Sequence, residues 1–412
     1  MKIKLHWQIL IGLLLGIIYG LFLPEHSDYV EWLGDIFLRA LKMIIVPLIL
    51  TSIISGVSNI GSAKSLGKLG FKTIMYYLST SIFAIISGLI LVNLIQPGVG
   101  ADLGLQKNVD ELESLSGGLG NILLRIVPTN IFEALASADM LAIIFFSILT
   151  GFYITRLKEE SSQLLINIFN SAFELMMKIT SLVIKFAPIG IFGIVTGVIA
   201  EQAMDKDALV KMIEGLALYM TAVLAGLFVH AFITLPLFLK LIGKANPWAH
   251  FKAMSTPLLT AFSTSSSSAT LPLTLDAVEN NAGVSNKITS FVLPLGATVN
   301  MDGTALYECV AAIFIAQAYG IELSFVQQMI VVVTALLASI GAAGIPMAGL
   351  VMISVVLSSV GLPLEGVGLI LAVDRILDMC RTTVNVWSDS CGAVIIASSE
   401  GEKLNVSSLV QD

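Results

Sequence analysis

An all-α polytopic membrane protein is the fold class this sequence predicts, on three observations. Hydrophobic residues make up 56% of the 412 and charged residues only 12%, with a mean hydropathy of +0.91, so most of the chain seeks lipid. Successive apolar runs exceed the ~20 residues a helix needs to cross a bilayer. Two later runs are interrupted at mid-length by small and polar residues, as in segments that enter the membrane and turn back.

The first apolar run covers about residues 7 to 24, after Lys2, Lys4 and His6. It has no small-residue cleavage site and another hydrophobic segment follows at once, so a retained first helix is expected rather than a signal peptide. Further long apolar segments cover roughly 30 to 60, 70 to 96, 118 to 155, 163 to 200 and 208 to 243, several long enough to demand tilt or kinks. Six conventional helices are expected from them. Lys64, Lys68 and Lys72 follow the second segment, Arg156 and Lys158 the fourth, and Lys240, Lys244 and Lys252 the sixth. The intervening loops are acidic, with Glu25, Asp28 and Glu31, then Asp102, Asp110, Glu111 and Glu113, then Glu201, Asp205 and Asp207. This alternation satisfies the positive-inside rule and predicts a cytoplasmic N-terminus.

From about residue 247 the pattern changes. In AMSTPLLTAFSTSSSSATLPLTL the run Thr264 to Ser268 interrupts the apolar segment and Pro272 follows; in the segment 331 to 360, Gly341, Gly344, Pro346 and Gly349 do the same. Singly, the first reads equally as a flexible polar linker and the second as a kinked lipid-facing helix. Each is followed by a long helix bearing polar groups, so hairpin plus helix occurs twice. Paired interrupted segments of this kind point to a transporter's binding site.

The first of those helices, about 285 to 318, contains GATVNMDGTALYEC, which sets Asn300, Asp302 and Glu308 in apolar surroundings. Carboxylate, amide and carbonyl oxygens gathered at a break suit a hard cation such as Na⁺, and Gly303 is read as permitting the break. Glu308 keeps two readings: a carboxylate paired to a nearby Arg, or a proton carrier, since burial disfavours the charged form. The last long segment, roughly 362 to 398, carries Asp374, Asp378, Arg381, Asn385 and Asp389 three to four residues apart, a polar stripe on one helix face. Each charge at bilayer depth costs ~2.5 to 3.5 kcal/mol, so four cost on the order of 10 kcal/mol unless paired, hydrated or bound to ions. A guanidinium offers a fork that holds a carboxylate in bidentate fashion, and Asp378 one turn back is placed for an ammonium. An amino acid with an acidic side chain presents both groups.

Other classes fit poorly. A net charge of −7 with no basic run gives no sign of nucleic-acid binding. Cys309, Cys380 and Cys391 show no CxxC spacing, so neither a disulfide framework nor a zinc site is expected. An intramembrane hydrolase would need a base near its serine, and His6, His26, His230 and His250 lie far in sequence from the serine run; Asp374 and Asp378 do not sit in a GxGD-like context. An enzyme is therefore not expected. A passive anion channel remains the other transport class, separated from a carrier by saturable uphill uptake.

The segments SSSSATLP, NMDGTALYE, GAAGIPMAG and DRILDMCRTTVNVWSD resemble, in order and spacing, the signature segments of the dicarboxylate/amino acid:cation symporter family, the glutamate transporters and their archaeal aspartate-transporter relatives. The resemblance runs through the whole chain. It implies a homotrimer in the membrane lipid, each subunit with eight transmembrane helices and two re-entrant helical hairpins arranged as inverted repeats. It further implies scaffold helices 1 and 2 at 1–65, transport-domain helix 3 and a loop at 66–117, scaffold helices 4 and 5 at 118–205, and the rest of an elevator-type transport domain at 206–412.

By that resemblance an acidic amino acid, glutamate or aspartate, would sit between the hairpin tips. Arg381 would pair with its side-chain carboxylate and Asp378 would hold its α-amino group. Thr382, Asn385, Thr304, Ser266, Ser267 and the backbone near Ile345 and Gly349 would add hydrogen bonds. One sodium site would use Asn385 and Asp389 with carbonyls at Gly296 and Asn300. A second would use carbonyls at Thr298, Ser339, Ile340 and Ala342 near Met301, and a third Tyr77, Thr80 and Ser81 with Asn300 and Asp302. Neutral-amino-acid members carry a small or uncharged residue where Arg381 stands. Two departures matter. Ser265 stands where archaeal members carry an arginine, with Arg375 on the last helix as in the animal proteins, and Ser388 replaces the usual glycine before the final aspartate. Glu308 also matches the animal pattern, which implies H⁺ cotransport and K⁺ countertransport as further couplings; a purely proton-coupled glutamate/dicarboxylate symporter is the alternative. A prokaryotic inner membrane is expected, since the sole N-x-S/T sequon, at Asn405, falls on the predicted cytoplasmic tail.

Overall fold

The computed structural model describes residues 5–62, 68–100, 126–202, 206–341 and 348–406, and among these it is helical throughout, with no β-strand. Helix α1 (Leu5–Phe22) leads through a short 3-10 turn into α2 (Asp28–Ser62) and then α3 (Lys68–Ile95). The fourth apolar segment is not one conventional helix: a short α4 (Ile131–Ala136), N-capped by Asn130 Oδ1 accepting from Phe132 N at 2.9 Å, precedes α5 (Met140–Ile154). The fifth is not straight either. α6 (Glu159–Lys185) and α7 (Ala187–Gln202) meet at Phe186 with a bend of 53°. Pro188 explains it, because its ring clashes with the carbonyl four residues back and disfavours helical geometry at Ala187.

Helix α8 (Lys206–Val229) continues through a π-helical turn, His230–Thr234, into α9 (Leu235–Leu241). Proline again supplies the reason. Pro236 removes one N–H and crowds the preceding turn, and the Leu235 N–H reaches back to the His230 carbonyl. Asn246 caps α10 (Pro247–Ala253). The serine run then makes a helical hairpin: α11 (Ser255–Thr264), a turn at Ser265 in left-handed geometry (φ 51°), and α12 (Ser267–Asp276), capped by Ser266 Oγ accepting from Ala269 N at 3.2 Å. The linker reading of that run is thereby replaced.

Helix α13 (Asn286–Val299) breaks at Asn300 and Met301 and resumes as α14 (Asp302–Ala318). α15 (Phe325–Gly341) and α16 (Ala348–Ser359) pack against each other, and α17 (Val367–Ser399) ends the described fold. Ala342, Gly344, Ile345 and Pro346 lie outside the described residues. By length and composition four described helices are apolar enough to cross a membrane, or five if the bent pair counts as one. α17 is about 50 Å long at 1.5 Å per residue but too polar for that group.

Packing separates the helices into two neighbourhoods. α1 lies along α7, and α2 sits among α5, α6 and α7; α3 packs on α14 and α8, while α11, α13 and α14 pack on α17. The hairpin α15/α16 touches α2. α14 is apolar on nearly every side and buried on every side, the condition for a core helix. Outward faces carry large apolar residues such as Leu14 and Ile18 of α1 and Phe83 and Ile90 of α3, suited to lipid.

At the end of α17, Lys72 Nζ donates to the Ser399 carbonyl and to Glu400. That hydrogen bond, with the charges of Lys72, Lys68 and Lys287, holds the Glu400 carboxyl below its usual range. A carboxyl lowered in the folded state stabilises it above the unfolded value and loses that contribution as pH falls through the folded one. The melting temperature of Lys72→Met is therefore expected to lie slightly below that of the parent at neutral pH, the gap closing on acidification through the carboxylate range.

Candidate functional site

The stripe read from the sequence faces inward: Asp374, Asp378, Arg381, Thr382, Asn385 and Asp389 are all buried. Among the described residues the buried formal charges, histidines aside, are the carboxyls of Asp302, Glu308, Asp374, Asp378 and Asp389 and one guanidinium, Arg381. Negative groups exceed positive ones by four, 5 − 1, so the site favours bound cations or protons.

Arg381 is only 1% exposed and is held by its own helix. Nε donates to Asp378 Oδ1 at 3.1 Å and Nη1 to Asp374 Oδ1 at 3.1 Å. Nη2 lies 3.0 Å from Asp378 Oδ1 but makes no directed hydrogen bond, which leaves donor capacity unused. The guanidinium stands 4.2 Å from the centre of the Tyr307 ring, a cation–π arrangement. Gly349, in the first turn of α16, allows this: a Cβ there would stand 2.8 Å from Arg381 Cζ.

One turn further along α17, Asn385 joins the two halves. Its Oδ1 accepts from Gly303 N at 2.8 Å, one of the free N–H groups at the start of α14, and its Nδ2 donates to Thr304 Oγ1 at 3.1 Å. The expectation that Gly303 permits the helix break is corrected. The break is at Asn300 and Met301, Gly303 lies inside the first turn, and it is needed there because a Cβ would stand 2.7 Å from the Arg381 carbonyl oxygen. Ser266 and Ser267 are buried at the start of α12, in the hairpin that packs on α17.

A second polar cluster surrounds the break. Asp302 Oδ1 accepts from Ser81 Oγ at 2.6 Å and lies 3.4 Å from Thr80 Oγ1, which is also 3.5 Å from Asn300 Oδ1. Asn300 Nδ2 donates to Asp389 Oδ1 at 2.9 Å and to Ser388 Oγ at 3.0 Å, and Asn300 N bonds the Gly296 carbonyl at 2.9 Å. The structure thus brings Thr80, Ser81, Gly296, Asn300, Asp302 and Asp389 together. The Asn385 amide is instead turned to Gly303 and Thr304, and the Tyr77 hydroxyl donates to the Val292 carbonyl at 2.6 Å. Thr298 and Ile340 line a cavity of ≈ 230 Å³ against Ser52, Ser55, Asn59 and Asn170 of α2 and α6. Met301 and Ser339 are buried, with Ser339 Oγ on the Leu336 carbonyl at 2.8 Å.

Glu308 is fully buried and neither carboxyl oxygen has a hydrogen-bond partner among the described residues, so of its two readings the direct pairing to an arginine is not seen. Arg375 sits at the rim, Nη1 3.7 Å from Asp378 Oδ2 and with 29% of its side chain exposed. Two residues were missed. Asp374 was read into the stripe but given no role, and it holds Arg381. His230, dismissed for its distance in sequence from the serines, places Nε2 3.0 Å from Asp302 Oδ2. An ionisable residue inside an apolar segment was the available signal.

The chain is similar over nearly its whole length to known transporters. The family model described as sodium:dicarboxylate symporter matches residues 5–399. The proton/glutamate-aspartate symporter of Escherichia coli K12 is 37% identical, the alignment covering 97% of this chain and 93% of that one. The proton/sodium-glutamate symport protein of Geobacillus stearothermophilus is 38% identical over 97% and 96%, and excitatory amino acid transporter 3 of mouse 37% over 98% and 88%. With the match extending over nearly every helix that builds the site, the chain belongs to the sodium:dicarboxylate symporter family.

Proposed function

We propose that the protein, a transporter and not an enzyme, is a secondary active symporter of the acidic amino acids glutamate and aspartate, coupled to sodium ions. The observation that carries this reading is Arg381, a buried guanidinium paired within its own helix and keeping one nitrogen free of directed hydrogen bonds. A substrate carboxylate would take the fork in place of Asp374 and Asp378, and Asp378, so released, would receive the ammonium. Thr382, Asn385, Thr304, Ser266, Ser267, Gly349 and Ile345 would complete the substrate site. Sodium, as co-substrate, would bind among the oxygens of Thr80, Ser81, Asn300 and Asp302, at Asp389 with Gly296, Asn300 and Asn385, and near Thr298, Met301, Ser339, Ile340 and Ala342, with Tyr77 behind the first group.

Two net charges moved inward gain ~2.3 kcal/mol each per 100 mV; at ~1.4 kcal/mol per tenfold gradient this supports roughly a thousandfold accumulation. The two packing neighbourhoods support the division into scaffold (1–65, 118–205) and transport parts (66–117, 206–412) of a homotrimeric elevator with eight transmembrane helices and two re-entrant hairpins in a prokaryotic inner membrane, both termini cytoplasmic.

A second reading, proton coupling, is favoured specifically by Glu308 and its partnerless carboxyl oxygens, and by the names of the E. coli and Geobacillus relatives, which include proton symport. Arg375 and K⁺ countertransport belong to the same reading. Uptake of labelled glutamate and aspartate into proteoliposomes tests both. An inward sodium gradient is expected to drive accumulation at matched voltage where a proton gradient alone does not, and Glu308→Gln is expected to abolish only the dependence on external pH. Accumulation driven by protons without sodium would overturn sodium coupling and leave the proton reading.

A further inference from the structure

We infer that His230 is a positioning residue for cation binding: with Ser388 it holds Asp302 Oδ2, so that Asp302 meets its cation through Oδ1. His230 Nε2 lies 3.0 Å from Oδ2, both side chains fully buried, and Ser388 Oγ donates to the same oxygen at 2.6 Å. An ionised carboxylate only accepts, so Nε2 carries the hydrogen whether the ring is neutral or protonated, and no change of charge on the ring is needed. The other side of the carboxylate is different in kind. Oδ1 faces the hydroxyls of Ser81 and Thr80, and Thr80 in turn reaches the amide oxygen of Asn300, together the kind of oxygen set a hard cation uses.

The surrounding chain anchors the backbone beside the imidazole. The π turn at His230–Thr234 leaves the Ala231 carbonyl outside the helical ladder, and Trp387 Nε1, beside Ser388, donates to it at 3.0 Å. The two donors to Oδ2 are thus tied together through their chain neighbours. Single π turns inside α-helices are frequent at functional sites, and partners of this outer kind orient the ligand group that touches the metal.

The inference rests on the reading of Asp302 as a sodium ligand, and the experiment separates the two. The full-length protein is reconstituted in liposomes and aspartate uptake is measured against external sodium for the parent, His230→Leu, His230→Gln, Ser388→Ala and Asp302→Ala. His230→Leu is expected to raise the half-activating sodium concentration about 10- to 100-fold, with the KM for aspartate at saturating sodium little changed. His230→Gln, whose amide nitrogen can still donate, is expected to stay close to the parent. Ser388→Ala, which removes the second donor to the same oxygen, is expected to shift in the direction of His230→Leu and carries the test if that variant fails to insert. Unchanged sodium dependence in both, or His230→Gln as impaired as His230→Leu, would overturn the inference. If Asp302→Ala leaves sodium dependence intact, or the parent is indifferent to sodium, the reading of Asp302 falls and the inference with it.

Discussion

Arg381→Ala is expected to reduce glutamate and aspartate uptake by about 30-fold to several thousand-fold, the range that ~2 to 5 kcal/mol for truncating one member of a buried charge pair gives at ~1.4 kcal/mol per tenfold. Three losses add up in this one change. The fork proposed for the substrate carboxylate goes, the ring contact with Tyr307 goes, and Asp374 and Asp378 are left with no buried cation between them. Arg381→Lys is expected to recover little, because an ammonium has neither the planar fork nor the stacking surface. Uptake in liposomes, with reconstituted protein matched by quantity, measures it. Uptake within about threefold of the parent in Arg381→Ala would remove Arg381 from substrate binding.

The same geometry explains why the unliganded arginine can stay buried. On the proposed reading Asp374 and Asp378 would act as internal stand-ins for the substrate carboxylate, so the guanidinium would exchange one acceptor for another instead of moving from water to protein. Asp378, which pairs Arg381 here, would on that reading serve both states by then facing the ammonium. Such an exchange would be local to α17, and the cluster around Asp302 and Asp389 connects to that helix through Asn300, Asn385 and the first turn of α14.

The polar stripe of α17 was legible because helical spacing alone decides which residues share a face, and burial of that face follows from the surrounding apolar residues. The hairpin at the serine run was legible for a similar local reason: Ser266 caps a helix and Ser265 turns the chain. The bend between α6 and α7 was equally present, in Ala187-Pro188, but segment length was read ahead of proline chemistry. His230 was not reachable by spacing. Its partner lies 72 residues away, and only the packing of α8 and its π turn beside α14 brings them within hydrogen-bond range. Gly303 was read as freedom of the backbone where the structure needs absence of a side chain, a distinction that depends on what lies opposite.

That distinction yields the second large effect. Gly303→Val is expected to abolish uptake and to destabilise the protein by about 1 to 3 kcal/mol, the usual cost of overpacking. A Cβ at residue 303 would stand 2.7 Å from the Arg381 carbonyl oxygen, 3.0 Å from its Cα and 3.1 Å from its Cβ. These are backbone and near-backbone atoms of a continuous helix, so no side-chain rotation relieves the contact, and α14 must move away from α17. Moving it lengthens the 2.8 Å bond from Gly303 N to Asn385 Oδ1 and the 3.1 Å bond from Asn385 to Thr304, which are the links between the Arg381 end and the Asp302 end. Gly303→Ala is expected to be milder in stability but still deficient in uptake, because the first carbon already makes the clash. Melting temperature in detergent and sodium-driven aspartate uptake, read together, check this. Normal uptake in Gly303→Ala would mean that the close approach of α14 to Arg381 is not what couples the two clusters.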